Sequence, residues 1–322
     1  MSGRSLLLIG GTGFFGKSFL DAYRRGLLKT WSVDRIDVVA RSASALRRTH
    51  PDLVAPGVAL HDLDVGVAET LPAADLVIHA ATTTDARLYA QDAKGERERI
   101  LSAIGNYVRI AAREHRQSRI VLASSGAVYG QQSEHVAALR EDHVPTATAE
   151  MVATKRDYAE AKRASEALLA TLGAASVRTA VARCFAFVGY HLPRDQHFAI
   201  GNFLADGLAG RPVRVNARKA VVRSYMHADD LVAWLMTIAQ AADSTCPIYN
   251  VGSDEAVTIA DVARVVAERF GVPAEIPPIT DAAVDRYVPS IARARGELGL
   301  ELSYDLASAV DDIAGRLRAG AR

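Results

Sequence analysis

The chain has 322 residues, of which 49% are hydrophobic and 23% are charged, and its formal net charge is +1. This composition is typical of a soluble globular protein with one large domain or two closely associated ones. The even charge balance, without long charged blocks, argues against nucleic acid or a membrane surface as a partner. No apolar run approaches the roughly 18 residues of a membrane-spanning helix.

Cysteine and histidine usage narrows the chemistry further. Cys184 and Cys246 are the only cysteines, so no disulfide framework is expected and a reducing, cytoplasmic environment fits the chain. The nine histidines are scattered without the spacing of metal ligands. The sequence therefore predicts no metal site, and the chemistry must come from other side chains.

The first predicted strand and the turn after it have a nucleotide-binding pattern. The apolar run Leu6–Ile9 leads into three glycines at every third position, and a helical stretch follows from Lys17 to Arg25. Glycine lets a pyrophosphate approach the backbone closely, and the helix directs its N–H groups and positive dipole end at the phosphates. The alternative is a tight structural turn. The dinucleotide interpretation predicts contacts from Gly10, Thr12, Gly13, Phe14, Phe15 and Gly16.

The next two predicted strands bear on the choice of dinucleotide. Residues 36–40 form the second strand, and Arg41-Ser42 follow it, where an acid would hold a ribose 2′-hydroxyl and an arginine would accommodate a 2′-phosphate. We therefore predict NADP in preference to NAD, the alternative being that Arg41 is a solvated loop charge. Residues 58–60 form the third strand, and Asp62 and Leu63 after it are predicted to contact the adenine.

The fourth predicted strand, residues 75–82, ends in small residues. Small residues at this end of a strand let a ligand lie across the sheet edge, so Ala80, Ala81 and Thr82 are predicted to line the dinucleotide. His79 is predicted to be a core residue with satisfied hydrogen bonds. Apolar spacing predicts a helix from 96 to 115, and the alternation of strands and helices indicates a parallel sheet.

The fifth predicted strand, residues 119–123, delivers two serines, and a later helix carries a tyrosine and a lysine. Tyr158 and Lys162 are four residues apart and lie on one face of a helix predicted from 158 to about 172. A nearby cation lowers the pKa of a phenol from about 10, which would let Tyr158 give or take a proton near neutral pH. Ser125 would hold a substrate oxygen beside it, and Ser124 would contact the dinucleotide.

Together these residues resemble the extended short-chain dehydrogenase/reductases, especially those that act on nucleotide sugars. The resemblance implies an α/β fold, with a Rossmann-type doubly wound parallel sheet and a smaller C-terminal α/β substrate domain. It implies Tyr158 as the acid/base, Lys162 as a ligand of the nicotinamide ribose, and Ser125 as the group that orients the substrate. It also implies dinucleotide contacts from Tyr158, Cys184 and Phe185. The matching segments are Gly10-x-x-Gly13-x-x-Gly16, Ser124-Ser125-Gly126-Ala127-Val128-Tyr129-Gly130, Tyr158-x-x-x-Lys162, 183–189, 223–230 and 249–252.

The same resemblance implies a division of the chain and a set of substrate contacts. Residues 1–188 plus about 223–252 would form the NAD(P)-binding domain, and about 189–222 plus 253–322 the nucleotide-sugar-binding domain. A homodimer through the helices at about 96–116 and 154–172 is also implied. The predicted substrate contacts are Ser125, Gly126, Ala186, His191, Asn202, Phe203, Arg214, Asn216 and Arg223.

Departures from the family's motifs narrow the reaction. This chain has Gly126-Ala127 where 4,6-dehydratases of the family carry an Asp-Glu pair and uronate decarboxylases keep a carboxylate. Gly126 also replaces the cysteine of reductases that first epimerise their 4-keto sugar, and Ala186 replaces a usual asparagine. What remains is hydride transfer with one proton.

We therefore predict an NAD(P)H-dependent enzyme that reduces the 4-keto group of a nucleoside-diphosphate 6-deoxyhexose, with the proton coming from Tyr158. Two alternatives stay open at this point. One is an NAD-dependent nucleotide-sugar 4-epimerase, which oxidises and re-reduces the same carbon with the dinucleotide retained. The other is a non-catalytic, NADP-binding regulator, because a fold alone does not establish a function.

Overall fold

The computed structural model describes residues 3–82, 86–151 and 153–320. The strands are β1 (Arg4–Ile9), β2 (Val33–Ala40), β3 (Val58–Asp62), β4 (Leu76–His79), β5 (Arg119–Ser125), β6 (Arg178–Cys184), β7 (Phe187–Val188), β8 (Val213–Arg214), β9 (Lys219–Arg223), β10 (Met226–His227), β11 (Ile248–Val251), β12 (Val257–Thr258), β13 (Ala274–Glu275) and β14 (Asp281–Tyr287). The α-helices are α1 (Phe14–Arg24), α2 (Leu46–Thr49), α3 (Ala86–Glu114), α4 (Ala153–Ala170), α5 (Ala199–Leu208), α6 (Ala228–Ala241), α7 (Ile259–Phe270), α8 (Ala292–Leu298) and α9 (Leu306–Gly320).

The chain divides into two compact units, each made of three segments. The first unit comprises Met1–Val128, Ala147–Cys184 and Val232–Tyr249, and the second comprises Tyr129–Thr146, Phe185–Leu231 and Asn250–Arg322. The sequence-based division placed four segments with the dinucleotide-binding part that belong to the second compact unit, namely 129–146, 185–188, 223–231 and 250–252. For 129–146 one cause is a side-chain bond that the sequence does not reveal: the Tyr129 hydroxyl donates to Asn250 Oδ1 over 2.8 Å.

The first unit is built on a seven-stranded sheet with the order β11-β6-β5-β4-β1-β2-β3. Neighbouring strands are parallel in all five pairings of the stretch β6-β5-β4-β1-β2-β3. The chain runs outward from β1 to β3 on one side and from β4 to β6 on the other, so its direction across the sheet reverses between β1 and β4. Open α/β sheets bind ligands at such a reversal, beyond the carboxyl ends of the strands. The predicted Rossmann-type α/β fold is confirmed.

Several elements extend beyond their predicted ends, and the differences matter for the site. β5 continues to Ser125, so both serines finish a central strand. α4 begins at Ala153, which places Tyr158 in its second turn. α3 begins ten residues earlier than predicted, with a kink at Asp92, where φ is −152° and ψ is 72°. The Asp92 carboxylate accepts a hydrogen bond from the Gly95 N–H over 2.9 Å, so the helix restarts there with an N-cap.

A buried apolar cluster fixes α3 and α4 against one face of this sheet. Tyr107 of α3 and Leu169 of α4 are both fully buried within it. Burying a side chain of this size contributes about 2 kcal/mol, and the cluster has many such members. The helix that carries Tyr158 and Lys162 is therefore held rigidly on the sheet. Other members of the cluster are Leu7, Ile9, Val77, Ile104, Ile110, Leu122 and Val181.

His79, at the end of β4, differs from its prediction. It is buried as expected, with 2% of its surface exposed, and its ring lies 5.0 Å from that of Tyr107. Its ring nitrogens, however, have no hydrogen-bond partner among the described residues, so the expected satisfied histidine is wrong. Burial, with a smaller contribution from the Lys162 cation, lowers the pKa of His79 to about 3.

This histidine should make the protein less stable in acid. The pKa of His79 is lower in the folded chain than in the unfolded one, so the unfolded state binds more protons below about pH 6.5. The free energy of unfolding therefore decreases as the pH is lowered. The linkage corresponds to a loss of about 2 kcal/mol between about pH 7.5 and pH 5, and more toward pH 3. Urea unfolding at several pH values measures the free energy of unfolding. In His79→Leu this free energy should no longer show the part of the pH dependence that comes from His79.

The exposed His135 supplies the matched control for this experiment. His135→Gln should leave the pH dependence of the unfolding free energy as it is in the parent protein. If His79→Leu retained the full slope between about pH 7.5 and pH 5, another group would be responsible for it.

The second unit contains small sheets and four helices within its described residues. β9 pairs antiparallel with β12 and parallel with β14. α7 begins with a capping box in which Thr258 and Asp261 each accept a hydrogen bond from the backbone N–H of the other. Asn250 links separate segments: its side-chain amide donates to the carbonyls of Leu139, over 2.9 Å, and Ser290, over 3.1 Å. Because Asn250 is fully buried, these bonds organise the interior of this unit.

The described residues contain neither a membrane-spanning helix nor a cluster of metal-binding side chains. Among residues 3–82, 86–151 and 153–320, no helix is long and apolar enough to span a membrane. The same residues contain no group of three or more histidine, cysteine or acidic side chains arranged to hold a metal ion. Both cysteines are buried free thiols.

Candidate active site

The turn between β1 and α1 lies at the reversal point of the sheet and depends on glycine. Gly10 has φ +85°, and a Cβ there would lie 2.7 Å from the backbone of Ala81, the residue that follows the end of β4 by two. A Cβ on Gly16 would lie 2.2 Å from the Gly11 carbonyl oxygen, so α1 begins in tight contact with the turn. These positions keep the ends of β1 and β4 close together.

Gly13 has a different environment, which fits a bound pyrophosphate. It caps α1, it is exposed, and a Cβ built on it would meet only the Gly10 oxygen, at 3.5 Å. No side chain caps this helix end, and its first turn contains no acidic residue. An 11-residue helix with an open glycine at its N-terminus attracts phosphate through its dipole. The turn therefore fits a dinucleotide, and the individual contacts of Thr12, Phe14 and Phe15 stay predictions.

The loops after β2 and β3 contain the residues expected at the adenosine end. Arg41 and Ser42 are exposed, and Arg41 forms no ion pair with any residue that the structure describes. Asp62 accepts hydrogen bonds from the Ser44 N–H over 2.7 Å and from the Ser44 hydroxyl over 2.6 Å. These bonds to Ser44 lower the pKa of Asp62. Asp62 thus ties the two loops together, while its expected adenine contact and that of Leu63 stay predictions.

Three predicted catalytic residues meet at the carboxyl end of β5. The Ser125 hydroxyl hydrogen-bonds with Tyr158. The Lys162 ammonium lies 5.9 Å from the centre of the Tyr158 ring and donates to the Ala123 carbonyl over 2.9 Å. The four-residue spacing on α4 therefore does place phenol and ammonium on the same face. Their positions beside Ser125 suit proton transfer to or from a substrate oxygen.

The electrostatics of Tyr158 differ from the prediction. Burial raises the pKa of Tyr158 to about 12, and the Ser125 hydrogen bond lowers it only in part. The same desolvation lowers the pKa of Lys162 to about 8. The expected near-neutral phenol is absent because burial disfavours the charged phenolate, and the Lys162 ammonium is bonded to the Ala123 carbonyl. In this arrangement Tyr158 keeps its proton at neutral pH.

Two neighbours of the catalytic set were not predicted. Glu166, one turn beyond Lys162, accepts a 2.5 Å hydrogen bond from the Ser124 hydroxyl and pairs with Arg183. Its position four residues after Lys162 is the sequence signal that could have identified it. Tyr89 lies edge-on to Tyr158 with 5.6 Å between the ring centres. It was missed because α3 was expected to begin only at residue 96. Since the Ser124 hydroxyl donates its hydrogen bond to Glu166, the predicted dinucleotide contact of Ser124 would use its backbone.

The strand ends beside this set contain the remaining residues expected at the dinucleotide. Ala80, Ala81 and Thr82 follow β4 and are half-buried, as the switch-point position requires. Cys184 ends β6 and is buried, and this burial raises the pKa of its thiol to about 12, so the thiol is inert. Phe185 belongs to the second unit, where its ring lies 4.6 Å from that of Tyr287.

The predicted substrate residues of the second unit have mixed environments. Arg214 is exposed and pairs with Glu275 over 2.6 Å, and Asn216 is exposed nearby. A cavity of about 370 Å³ is lined by Arg214, Val215, Asn216, Glu275, Ile276 and Pro277. Both predicted residues of this segment therefore border an open cavity with polar and apolar lining residues, of a size that suits a nucleoside.

Other members of the predicted substrate set already have partners within the second unit. Arg223 donates to the Asp285 carbonyl over 2.7 Å and pairs with the Asp285 carboxylate at 3.1 Å. The Asn202 amide donates to the Gln196 carbonyl over 2.8 Å, and the Phe203 side chain is 4% exposed. A contact from Phe203 to a substrate would therefore use its backbone, because its ring packs in the core.

The remaining predicted substrate positions lie on small or half-buried residues. Gly126 and Ala127 begin a 3₁₀ turn directly after β5, and the Ala127 N–H donates to the Ser125 hydroxyl over 3.1 Å. Ala186 lies between β6 and β7, and the His191 ring packs against Tyr190 with 5.0 Å between centres. Roles for Gly126, Ala186 and His191 stay predictions.

Comparison with curated proteins finds distant relatives. The chain is 27% identical over 187 residues to UDP-glucuronic acid decarboxylase 6 of Arabidopsis thaliana, covering 57% of this chain and 53% of that protein. It is 27% identical over 188 residues to UDP-glucuronic acid decarboxylase 1 of Xenopus tropicalis, covering 57% of this chain and 43% of that protein. The matched stretch spans about half the length of these relatives.

Comparison with solved structures shows the same fold throughout the chain. The UDP-glucose 4-epimerase of Thermotoga maritima, solved with UDP-glucose, superposes with a TM-score of 0.80 at 16% identity, covering 99% of this chain and 100% of that one. The UDP-glucose 4-epimerase of Thermus thermophilus, solved with NAD, gives 0.76 at 23% identity, covering 98% and 99%. A dTDP-glucose 4,6-dehydratase of Streptomyces venezuelae, solved with NAD, gives 0.78 at 19% identity, covering 97% and 96%.

A family-level comparison covers the glycine turn, β5 and the helix that carries Tyr158 and Lys162. Residues 6–252 match the NAD dependent epimerase/dehydratase family, which is more than three quarters of the chain. The glycine turn, the parallel sheet and the serine–tyrosine–lysine set all lie within this stretch. The chain is a member of the NAD dependent epimerase/dehydratase family.

Proposed function

We propose that this protein reduces the 4-keto group of a nucleoside-diphosphate 6-deoxyhexose, using a nicotinamide dinucleotide and Tyr158. The observation that carries the proposal is the Ser125–Tyr158–Lys162 set at the end of β5, beside the glycine turn that fits a dinucleotide. The raised pKa of Tyr158 supports reduction in particular, because a phenol that keeps its proton at neutral pH can protonate a new alkoxide.

Tyr158, Ser125 and Lys162 would each have a separate role in the reduction. When bound, the dinucleotide supplies a hydride to the carbonyl carbon. The carbonyl oxygen gains the Tyr158 hydroxyl proton, and the Ser125 hydroxyl holds that oxygen in place. The Lys162 ammonium, 5.9 Å from the Tyr158 ring centre, stabilises the phenolate that is left. Solvent then returns a proton to Tyr158.

The residues after β5 argue against elimination and decarboxylation. Gly126 and Ala127 occupy the turn that follows Ser125 and bear no acid or base. Removing water across two carbons needs both an acid and a base near the sugar, and neither residue provides one. We therefore do not extend to this chain the decarboxylase names of its curated relatives, which match over only about half of their length.

A 4-epimerase is the second candidate. The family name and the epimerases among the structural neighbours favour it, and its chemistry would use the same serine, tyrosine and lysine. An epimerase must oxidise before it reduces, so Tyr158 would have to start as a base. Because burial raises the pKa of Tyr158, the phenol would first have to lose its proton in that direction.

We propose that residues of the second unit bind the nucleotide part of the substrate. The cavity beside Arg214 and Asn216 has room for a base and ribose, and exposed polar groups line it. Arg223 would reach a phosphate only by exchanging its bonds to Asp285. This assignment makes the first unit the dinucleotide-binding part and the second the nucleotide-sugar-binding part.

We also propose a homodimer that uses α3 and α4. These helices pack together within one chain, and Arg97 of α3 pairs with Glu160 of α4 over 2.8 Å. The surface that they present together would meet the same surface of a second copy. Sedimentation equilibrium measures the assembly directly, and a monomer at all concentrations would contradict it.

For the dinucleotide itself we propose NADP. The family name and the NAD-containing neighbours support a nicotinamide dinucleotide in general. The finer choice rests on the loop after β2, where Arg41 and Ser42 are exposed and the nearby Asp62 is bonded to Ser44. An exposed arginine favours a 2′-phosphate, whereas a 2′-hydroxyl calls for an acid.

Replacing Arg41 with alanine should weaken NADP binding and leave NAD binding nearly unchanged. The loss of a charged hydrogen bond to the 2′-phosphate corresponds to roughly a 10- to 100-fold higher Kd. Calorimetric titration with both dinucleotides measures the difference. Arg116→Ala is the matched control, because Arg116 is exposed but precedes β5 at the opposite edge of the sheet. Equal losses for both dinucleotides in Arg41→Ala would contradict the assignment.

The proposed reaction is tested by incubating the protein with NADPH and a panel of nucleoside-diphosphate 4-keto-6-deoxyhexoses. Stoichiometric loss of nicotinamide absorbance, with the corresponding 6-deoxyhexose as product, would support the reductase. Interconversion of two 4-epimers without net consumption of dinucleotide would support the epimerase instead. Dinucleotide binding without turnover of any sugar nucleotide would contradict both.

A further inference from the structure

A buried ion pair lies directly behind the catalytic set. The Glu166 carboxylate accepts the Ser124 hydroxyl proton over 2.5 Å and pairs with Arg183 Nη2 over 2.8 Å. Arg183 Nε also contacts both carboxylate oxygens, at 3.1 and 3.2 Å. The side chains of Glu166 and Arg183 are only 10% and 11% exposed. Four hydrogen bonds in a desolvated setting fix this carboxylate in one position.

The partners of Glu166 connect three elements of the first unit. Glu166 is on α4, Ser124 is on β5, and Arg183 is on β6. Ser124 and Arg183 are also neighbours in the parallel pairing of β5 and β6. The Glu166 carboxylate therefore bonds α4 to both β5 and β6, which sets the position of α4 along the ends of these two strands. Tyr158 and Lys162 are on the same helix, two turns and one turn before it.

Ser124 lies between the two residues of β5 that contact Lys162 and Tyr158. The residue before it, Ala123, provides the carbonyl that accepts the Lys162 ammonium proton over 2.9 Å. The residue after it, Ser125, hydrogen-bonds with Tyr158. A shift of Ser124 would move both partners at once, because all three residues are consecutive in β5. The Ser124–Glu166 bond therefore lies between the two β5 residues that contact Lys162 and Tyr158.

The charges around Lys162 make the same carboxylate electrostatically important. Lys162 is surrounded by Tyr158 and Glu166 of its own helix, Cys184 of β6 and His79 of β4. The Cys184 thiol and the His79 ring are held neutral by burial, and Tyr107 of α3 lies against His79. Glu166 is the carboxylate of this set. Its negative charge opposes the desolvation that lowers the pKa of Lys162. The Arg183 guanidinium, which pairs with Glu166, offsets part of that charge.

We propose that Glu166 is a positioning residue which, through Ser124, holds Ser125 and the Tyr158–Lys162 pair in register and helps to keep Lys162 protonated. This proposal rests on the proposed function, in which Tyr158 transfers a proton. The effect of Glu166 reaches the chemistry through one hydroxyl and one charge.

Removing the hydroxyl tests the positioning role. Ser124→Ala should lower kcat roughly 10- to 100-fold at unchanged Kd for the dinucleotide, because a small misplacement of catalytic groups has an effect of this size. Ser165→Ala is the matched control. Ser165 is equally buried on α4, but its hydroxyl donates to the Ala161 carbonyl of its own helix over 2.7 Å. We expect kcat of the control to match that of the parent protein.

Removing the charge tests the electrostatic role. In Glu166→Gln, the loss of the carboxylate and the unpaired Arg183 guanidinium both lower the pKa of Lys162. The alkaline decline of kcat should therefore move to lower pH by roughly one unit. In the double variant with Ser124→Ala, the losses in kcat should be less than additive, because both changes break the same bond.

The outcomes separate this proposal from the proposed function. If folded Ser124→Ala and Glu166→Gln proteins show the parent kcat and pH profile, Glu166 is only structural and the proposal fails, whatever Tyr158 does. If Tyr158→Phe turns over normally, the proposed function fails instead. Thermal unfolding of each variant gives the folded fraction, so that kcat refers to native protein alone.

Discussion

Replacing Tyr158 with phenylalanine should reduce turnover by roughly 100- to 10,000-fold, which is the range that a general acid contributes. The change removes one hydroxyl, the proton donor beside Ser125. The Lys162 ammonium would keep its bond to the Ala123 carbonyl, so the surrounding structure should persist. Single-turnover measurement with saturating NADPH and substrate reports the chemical step directly.

The binding of the dinucleotide should be unaffected in this variant, because the glycine turn lies on other elements. Tyr23→Phe serves as the control for the removal of a tyrosine hydroxyl. The Tyr23 hydroxyl bonds to the Asp34 carbonyl over 2.6 Å, away from the catalytic set, and its loss should leave kcat unchanged. Turnover at the parent rate in Tyr158→Phe would show that another group supplies the proton.

The second large effect is expected at Gly10, where alanine should destabilise the first unit by roughly 2–5 kcal/mol. The backbone has φ +85°, which a residue with a Cβ adopts at a cost, and the added carbon would lie 2.7 Å from the Ala81 backbone. Because the contacted atoms of Ala80 and Ala81 belong to the main chain, no side-chain rotation relieves the clash. Urea unfolding measures the free energy, and dinucleotide binding should weaken in parallel.

Gly105→Ala provides the matched control for this substitution. Gly105 is within α3 of the same unit, and a Cβ there would meet nothing within 4 Å. Because alanine is favoured over glycine inside a helix, this variant should be about 0.5–1 kcal/mol more stable than the parent. A Gly10→Ala protein with parent stability would mean that the contact between the ends of β1 and β4 is not tight.

The elements that the sequence predicted well are those determined by local pattern. The glycine turn after β1 and the Tyr158–Lys162 spacing each depend on residues that are close in sequence, so a single strand or helix fixes their geometry. The early start of α3 was missed because it depends on the Asp92 cap at the kink, which interrupts the apolar spacing. Local pattern thus identified the fold and the helix that carries Tyr158 and Lys162, but not every boundary.

The parts of the site that were missed depend on partners far apart in the chain. Glu166 and Arg183 pair across α4 and β6, and nothing in either segment alone indicates the bond. Arg223 looked available for a phosphate, but Asp285, 62 residues later, holds its guanidinium. The prediction of a near-neutral pKa for Tyr158 was wrong for a related reason. Burial raises this pKa, and the burial of a side chain depends on the assembled core.

The most direct test of hydride transfer uses NADPH carrying deuterium at the reactive position of the nicotinamide. After a single turnover with a nucleoside-diphosphate 4-keto-6-deoxyhexose, mass spectrometry and NMR locate the label. The proposed function predicts deuterium at C4 of the sugar in the parent protein and almost none in Tyr158→Phe over the same time. Conversion of the sugar without deuterium at C4 would contradict it.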